Sequence, residues 1–271
     1  MIALDARLLP SLTLAEVVEG WSLQDRMDRK YLVPAKTLGE LIAGRRAEYG
    51  VLQIDQRVNF GYETMYFDTP DMLTYRQHAQ GVRRRFKVRV RRYQESGLLR
   101  LEIKTQGVRS RTVKYALEGA NTVHGPAAIF VRQSLDDSYG SSYLADVVST
   151  LEPGLVMTYR RTTLVSLRGG ERVTIDSGLS IDHRGVQAQL LPGLALVEVK
   201  SEDARSGTDR ALVRARFRPL SLSKYVAGIE LTNGRARQHP PRLLRSAFTI
   251  PRLDPAPDSL CAGTSDGESA A

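Results

Sequence analysis

Apolar and polar residues alternate along several segments of the chain, and this period of two is typical of strands that bury one face. The segment Leu99-Arg-Leu-Glu-Ile-Lys104 shows the pattern clearly. Alternation or a high content of β-branched residues predicts strands at 28–33, 62–68, 83–93, 98–105, 111–118, 155–166, 171–176 and 194–200. Gly169-Gly170 lies between two of these segments and predicts a hairpin turn.

Helix signals separate the strands. Proline or a hydroxyl side chain precedes several of the remaining segments and glycine follows them, as expected at helix ends. These signals predict helices at 11–20, from Pro34 to about Tyr49, from Thr69-Pro70-Asp71 to before Gly81, and at 124–151, 208–217 and 222–232. The helices do not alternate regularly with the strands, so we expect an α+β fold on a mostly antiparallel sheet or barrel.

The character of the sequence changes after Gly234. Up to that point strand and helix signals follow each other closely, which predicts one domain over residues 1–234. Residues 235–271 are instead rich in Pro, Gly, Ser and Ala and lack an apolar period. We therefore expect a tail that is largely disordered toward its end.

Composition narrows the class of protein. Of the 271 residues, 42% are hydrophobic and 25% are charged, as in an ordinary globular protein. No apolar run approaches the roughly 20 residues of a membrane-spanning helix. Residues 1–7 do not resemble a secretory signal, so we expect a cytoplasmic protein. The single cysteine, Cys261, excludes an intrachain disulfide, and the four histidines lack ligand spacing.

The chain is strongly basic, with a net charge of +9 and a pI near 9.8. Such a surplus indicates an anionic partner: nucleic acid, an anionic membrane or a phosphate-rich molecule. Nucleic acid is not favoured, because aromatic residues make up only 7% and the cations lie in alternating strands rather than among exposed aromatics.

The positive charges occupy one face of several predicted strands. In the strand around residue 88, alternation places four cations on one face: Arg85, Lys87, Arg89 and Arg91. An acid–x–Lys pattern also recurs at 28–30, 102–104 and 198–200. For one such strand alone, a solvated face is an equal alternative. If a barrel closes the sheet, however, these faces line a lumen in which unpaired charge is costly. A phosphate chain with divalent cations on the carboxylates fits such a lumen.

Eight short motifs follow each other in the order typical of a known family. They are Asp28-Arg-Lys-Tyr31, Tyr66-Phe-Asp-Thr-Pro70, Arg85-x-Lys-x-Arg-x-Arg-Arg-Tyr93, Leu101-Glu-Ile-Lys104, Tyr159-Arg-Arg161, Arg172-Val-Thr-Ile-Asp176, Leu196-Val-Glu-Val-Lys200 and Ser223-Lys-Tyr225. Over roughly residues 24–232 the chain resembles the VTC domain, the catalytic domain of vacuolar transporter chaperone polyphosphate polymerases and its bacterial relatives. That family belongs to the triphosphate tunnel metalloenzymes, together with CYTH-type triphosphatases and adenylate cyclases.

The resemblance implies an antiparallel β-barrel tunnel with helices packed on the outside. It also implies a phosphoryltransferase that moves the terminal phosphate of ATP to a polyphosphate chain with Mn²⁺ or Mg²⁺. The phosphate-binding catalytic positions that it implies are Lys30, Arg89, Arg91, Lys104, Arg161, Arg172, Lys200 and Lys224. Further contacts to the nucleotide or the chain are implied for Arg85, Lys87, Lys114 and Arg160. Glu198 matches the metal-binding glutamate of the family, and Glu102 is the second candidate ligand.

Two departures from the family pattern and several alternatives stay open. Asp28 stands where the family usually has glutamate, and Arg26 stands where an acidic partner would be. Glu102 is either a metal ligand or a counter-ion to Lys104 and the neighbouring arginines, and Asp176 is equally ambiguous. The same fold could act as a triphosphatase, in which water attacks, or as a non-catalytic polyphosphate-binding module.

Overall fold

The computed structural model describes residues 6–21, 27–106, 112–140, 146–203, 206–221, 223–233 and 242–250. Arg26 and Cys261 lie outside these residues, and so does the end of the predicted tail, whose disorder stays a prediction. No helix within the described residues is long and apolar enough to cross a membrane.

The described strands form one sheet that is antiparallel throughout except for the short contact between β1 and β3. The strands are β1 (Ser11–Leu12), β2 (Met27–Pro34), β3 (Tyr49–Leu52), β4 (Phe60–Asp68), β5 (Arg85–Tyr93), β6 (Leu99–Gln106), β7 (Thr112–Glu118), β8 (Glu152–Ser166), β9 (Glu171–His183), β10 (Val186–Leu190), β11 (Leu194–Ser201) and β12 (Phe248–Thr249). Their order is β12-β10-β9-β8-β4-β5-β6-β7, and β11 and then β2 extend from the first half of β9. The predicted antiparallel α+β fold is confirmed.

The described helices are α1 (Leu14–Gly20), α2 (Ala35–Ala43), α3 (Leu73–Ala79), α4 (Pro126–Tyr139), α5 (Gly207–Arg214), α6 (Lys224–Thr232) and α7 (Arg242–Ser246). Most of them lie close to where the sequence predicts them, but α4 ends at Tyr139 rather than near residue 151, and α7 lies in the predicted tail. Thr13 caps α1 in a capping box with Glu16, and Ser223 caps α6. Residues 242–250, which we assigned to the tail, form α7 and β12, and β12 pairs with β10.

Several element boundaries differ from the prediction. Helix α2 ends at Ala43 rather than near Tyr49, because Tyr49 begins β3, which pairs with the far end of β8. Helix α3 begins only at Leu73, whose N–H donates to the Thr69 hydroxyl. Strand β10 has no counterpart in the prediction. In each case the difference follows from pairing or capping that local signals do not report.

The sheet curls strongly but does not close into the predicted barrel. Along the strand order β2-β11-β9-β8-β4-β5, five strand spacings separate β2 from β5. In a flat sheet this separation would be about 24 Å. Burial and the neighbouring cations of β5 and β6 lower the pKa of Lys87, and Lys30 of β2 adds to this effect, so β2 and β5 face each other across the curl. Within the described residues β2 and β7 do not pair, and Leu220 instead donates its N–H to the Lys30 carbonyl on the outer edge of β2. The sheet is therefore an open, curled one.

The outer face of the sheet is apolar and carries most of the helices. Helix α4 covers β5 and β6, where Phe86, Val88 and Ile103 are fully buried. Helices α2 and α5 cover β2, β9 and β11 through residues such as Leu38 and Leu212. Burial of each large apolar side chain contributes about 1.5–3 kcal/mol, so these clusters hold the curled sheet in place.

Helix α6 lies on the opposite, inner face of the sheet. Tyr225 and Ile229 of α6 pack against Leu155, Met157 and Ile181 of β8 and β9. The inner face is thus divided into an apolar part that α6 covers and a charged part beside the beginning of α6. The sequence predicts helices only on the outside, and the placement of α6 corrects this.

Candidate active site

The charged part of the inner face gathers cations from across the sheet. They are Lys30 of β2, Lys87, Arg89 and Arg91 of β5, Lys104 of β6, Arg161 of β8, Arg172 of β9, Lys200 of β11 and Lys224 of α6. Strand register sets these positions: Glu198 lies opposite both Lys30 and Thr174, and Lys200 lies opposite both Asp28 and Arg172. The predicted catalytic cations therefore share one face of one sheet.

Asp176 is the most deeply buried charge of the site, with no exposed surface. Its two carboxylate oxygens accept hydrogen bonds from Arg161, at 2.6 and 2.8 Å, and the Lys224 ammonium lies 2.5 Å from one of them. Burial opposes the charge, but the two cations outweigh it and hold the pKa of Asp176 below its ordinary value. Asp176 also raises the pKa of Lys224 against the effect of burial. This carboxylate acts as a counter-ion that fixes two cations.

Glu102 joins the cations of β5. Its carboxylate accepts a hydrogen bond from Arg89 Nε at 2.6 Å and lies 3.6 Å from Arg91 Nη1. Burial opposes ionisation, but Arg89 and Arg91 outweigh it and lower the pKa of Glu102 to about 2. Arg91 also donates to the Thr64 hydroxyl at 3.4 Å. This geometry favours the counter-ion alternative for Glu102.

Glu198 is embedded among cations but is less firmly paired. Its shortest ion pair is to Lys30 at 3.3 Å, and its side chain is 12% exposed. Burial opposes its charge, while Lys200, Lys224 and Lys30 together hold the pKa of Glu198 well below its ordinary value. The carboxylate is therefore ionised, and it retains room for a further positively charged partner.

Lys87 and Lys104 show how strongly the cations repel one another. Burial, followed by Lys104 and Arg89, lowers the pKa of Lys87 well below its ordinary value. Burial also lowers the pKa of Lys104, although Asp28 partly opposes this. Lys87 donates to the Ser223 hydroxyl at 2.9 Å. A bound polyanion would relieve this repulsion, because it supplies the negative charge that the protein lacks here.

Aromatic rings form the floor beneath the cations. Tyr62 and Tyr159 stack with centroids 5.3 Å apart, and the Arg161 guanidinium lies 5.1 Å from the centroid of Tyr159. Arg161 and Arg91 outweigh burial and lower the pKa of the Tyr159 phenol. Tyr66 stacks on Tyr225 of α6. Tyr62 and Tyr159 are not among the predicted site residues, although Tyr159-x-Arg161 carries the period-two signal.

Three of the expected contact residues lie away from the centre. Arg160 is on the outer side of β8, where it donates to Asn59 and contacts Glu95. Lys114 is exposed on the edge strand β7, opposite Lys104. Arg85, at the beginning of β5, donates to the Val82 carbonyl at 2.7 Å. Ser223 belongs to the motif Ser223-Lys-Tyr225 but has no predicted site role, although its capping position beside Lys224 could have indicated one.

A divalent cation fits this site only together with phosphate. Among the described residues, no group of three His, Cys, Asp or Glu side chains is placed to hold a metal. Asp176 and Glu102 are bound tightly to arginines, which leaves Glu198 as the best donor. The Thr174 hydroxyl, opposite Glu198 in the sheet, is buried and has no hydrogen-bond partner within the part of the chain that the structure describes. One carboxylate with phosphate oxygens is the donor set that Mg²⁺ and Mn²⁺ accept in phosphoryl-transfer sites.

The arrangement suits a chain of phosphate groups. Arginines offer paired N–H donors to phosphate oxygens, and lysines offer mobile point charges. Because the cations come from strands on both sides of the curl, they can contact an anion from several directions at once. The side chains of Arg91, Arg161 and Lys224 are only 10–14% exposed, which strengthens their electrostatic interactions.

Comparison with solved structures finds several distant likenesses. A proposed adenylate cyclase from Bacillus halodurans is 14% identical, with a TM-score of 0.48, over 74% of this chain and 95% of that chain. A proposed adenylyl cyclase from Hippeastrum, described as having a dominant triphosphatase activity, is 10% identical, with a TM-score of 0.41, over 75% of this chain and 94% of that chain. A comparison with curated proteins found no significant match.

A family model gives the stronger result. The model described as the VTC domain matches residues 25–233. This range begins before Lys30 and ends after Lys224, so it contains the whole inner-face cluster together with α6. Since the match covers most of the chain and all of the candidate site, the chain belongs to the VTC domain family.

Proposed function

We propose that this protein is a phosphoryltransferase that moves the terminal phosphate of ATP onto a polyphosphate chain. One observation supports this most directly: cations from opposite sides of the curl converge on one space, with an ionised and incompletely paired Glu198 among them. A simple anion-binding surface has no need for that carboxylate. A metal-assisted transfer between phosphates requires a carboxylate that helps to hold the metal.

The roles of the side chains follow from their positions. The phosphates would be held by the inner-face cations Lys30, Arg89, Arg91, Lys104, Arg161, Arg172, Lys200 and Lys224. Lys87 lies at the edge of the same group. The terminal phosphate oxygen of the chain attacks the γ-phosphorus in line. The bond from that phosphorus to the β-γ bridging oxygen breaks, and ADP leaves. Catalysis rests on positioning and charge stabilisation, without a protein nucleophile.

Mn²⁺ or Mg²⁺ is the proposed cofactor. Glu198 would hold it together with phosphate oxygens, and the chemistry that it would supply is neutralisation of the charge on the transferred phosphate. Arg161 and Lys224 are held by Asp176 on the neighbouring strand, so they stay oriented toward the same phosphates. Glu102 keeps Arg89 and Arg91 in place in the same way.

The products distinguish this proposal from its alternatives. We expect the full-length protein, incubated with ATP and Mn²⁺, to release ADP in step with the appearance of internal phosphate signals in ³¹P NMR. A gel stained for polyphosphate should show chains longer than the substrate. ADP with orthophosphate alone, under every metal tried, would identify a triphosphatase instead. Tight retention of added polyphosphate without turnover would identify a binding module.

The cations of β5 allow a direct test of the site. We expect Arg89→Ala and Arg91→Ala each to weaken tripolyphosphate binding by about 1–3 kcal/mol, because each removes a charge-assisted hydrogen bond. Isothermal titration calorimetry measures the change. Arg92→Ala is the matched control, since Arg92 lies on the same strand but is exposed on the opposite face. If Arg89→Ala and Arg91→Ala bind tripolyphosphate as tightly as Arg92→Ala and the unmodified protein, the anion does not bind the inner face.

A further inference from the structure

Three arginines outside the inner face lie in the short segment that leads from the end of α5 to the edge of β2. Arg214 ends α5, and Arg216 and Arg218 follow it; all three are exposed. No acidic residue occurs between positions 210 and 229. In the described part of the chain, no acidic side chain pairs with any of the three. We refer to Arg214, Arg216 and Arg218 as the β2 rim.

The backbone of the β2 rim carries strain. Arg216 has φ +67°, the left-handed conformation that glycine usually adopts after a helix. The turn is otherwise regular, because Phe217 donates its N–H to Leu212 and Arg216 donates to Val213, each at 3.0 Å. An arginine therefore occupies a position where glycine would cost less.

The β2 rim is continuous with the inner face. Leu220 donates its N–H to the Lys30 carbonyl at 2.7 Å, so this segment lies against the edge of β2. Arg218 is two residues earlier, which places its Cα within about 7 Å of the Cα of Leu220. Three residues after Leu220, Ser223 accepts a hydrogen bond from Lys87 inside the site. One short segment thus joins the exposed arginines to the inner-face cations.

Within the described residues the sheet is open between β2 and β7, and the segment that follows α5 lies along the β2 side of this opening through Leu220. A phosphate chain that leaves the inner face on this side therefore meets three exposed arginines. We propose that the β2 rim is a second binding site, for the part of a long polyphosphate chain that extends beyond the inner face. This inference rests on the proposed function, and it adds that affinity rises with chain length.

The test compares two ligands on the full-length protein. We expect long-chain polyphosphate to bind at least tenfold more tightly than tripolyphosphate. The variant R214Q/R216Q/R218Q should lose at least tenfold in affinity for the long chain and change less than twofold for tripolyphosphate. The salt dependence of long-chain binding should also become shallower in the variant, because fewer cation–phosphate contacts form. Competition titration at several salt concentrations measures all of these values.

A control variant removes three positive charges at positions outside the β2 rim. The variant R92Q/R132Q/R184Q changes three exposed arginines on other elements, and we expect it to bind both ligands like the unmodified protein. Melting temperatures of both variants establish that they fold. Equal losses for both ligands, or an equal loss in the control, would overturn the inference by showing a diffuse effect of net charge. An unchanged long-chain affinity would also overturn it.

Two further results separate this inference from the proposed function. If the unmodified protein binds tripolyphosphate but gains nothing from a longer chain, the rim is not a polyphosphate site and the proposed function stands. If it binds neither ligand, the proposed function itself fails. Equal losses of binding to duplex DNA or to anionic vesicles in the triple variant would show a general polyanion surface, which also contradicts the inference.

Discussion

Replacing Asp176 with asparagine is expected to lower the melting temperature of the protein by about 6–12 °C. Asp176 is completely buried and is the counter-ion of both Arg161 and Lys224. Its loss leaves two cations without a partner in a poorly solvated place, which costs about 3 kcal/mol or more of the free energy of unfolding. In a protein of this size, each kcal/mol corresponds to about 2–4 °C. Thermal unfolding followed by circular dichroism measures the change.

Added phosphate should reverse much of this loss. Tripolyphosphate offers new partners to Arg161 and Lys224, so it should raise the melting temperature of Asp176→Asn by more than it raises that of the unmodified protein. Asp209→Asn is the matched control. Asp209 is also buried and is bound by Arg29 at 2.8 Å and Tyr31 at 2.9 Å, but it lies in the first turn of α5, on the outer face of the sheet.

The control variant should be destabilised without an enhanced response to tripolyphosphate. The same response in Asp176→Asn and Asp209→Asn would contradict the assignment of Arg161 and Lys224 to phosphate binding. It would mean that Asp176 serves only the stability of the sheet.

Glu198→Gln is expected to lower Mn²⁺-dependent turnover of ATP by a factor on the order of 10²–10³ while nucleotide affinity stays within about tenfold. The amide keeps the shape of the side chain but removes the charge that a hard divalent cation requires. Lys30, Lys200 and Lys224 remain and continue to attract the phosphates. Turnover and equilibrium binding must be measured separately, since only the first is expected to fall.

Glu102→Gln is the companion variant. Its carboxylate is bound to Arg89 and Arg91, so we expect turnover to fall less than tenfold. Full activity of Glu198→Gln with Mn²⁺ would refute the metal assignment and move it to Glu102 or Asp176. A loss in Glu102→Gln as large as in Glu198→Gln would show that both carboxylates serve the metal.

The composition of each strand face could be predicted from the sequence, because side chains alternate along a strand whatever the rest of the chain does. The charged face of β5 and the acid–x–Lys pairs at 102–104 and 198–200 lie where alternation places them. The same rule places Arg160 and Arg161 on opposite faces of β8, whereas the family resemblance implies anion contacts for both. Alternation does not show that Arg160 finds its partners, Asn59 and Glu95, outside the site.

Strand β9 shows where the local rule ends. The prediction stops at Asp176, but the strand continues to His183 through an irregular pairing with β8 beside Gly178. Gly178 has φ +59°, which a residue with a side chain adopts at a cost. The irregularity shifts the alternation, so Leu179 and Ile181 share the inner face with Asp176. A bulge of this kind depends on the neighbouring strand, so the alternation of apolar and polar residues along one strand does not predict it.

Only the tertiary structure decided how far the sheet closes and what lies inside it. Helix α6 has an apolar surface like the outer helices, and no local signal distinguishes a helix on the inner face from one on the outside. Its position brings Lys224 to Asp176 and Ser223 to Lys87. The sequence by itself determined which side chains share a face, since that follows from local geometry. Their distances across the curl depend on strand register, sheet twist and the packing of α6, which arise only when distant segments meet.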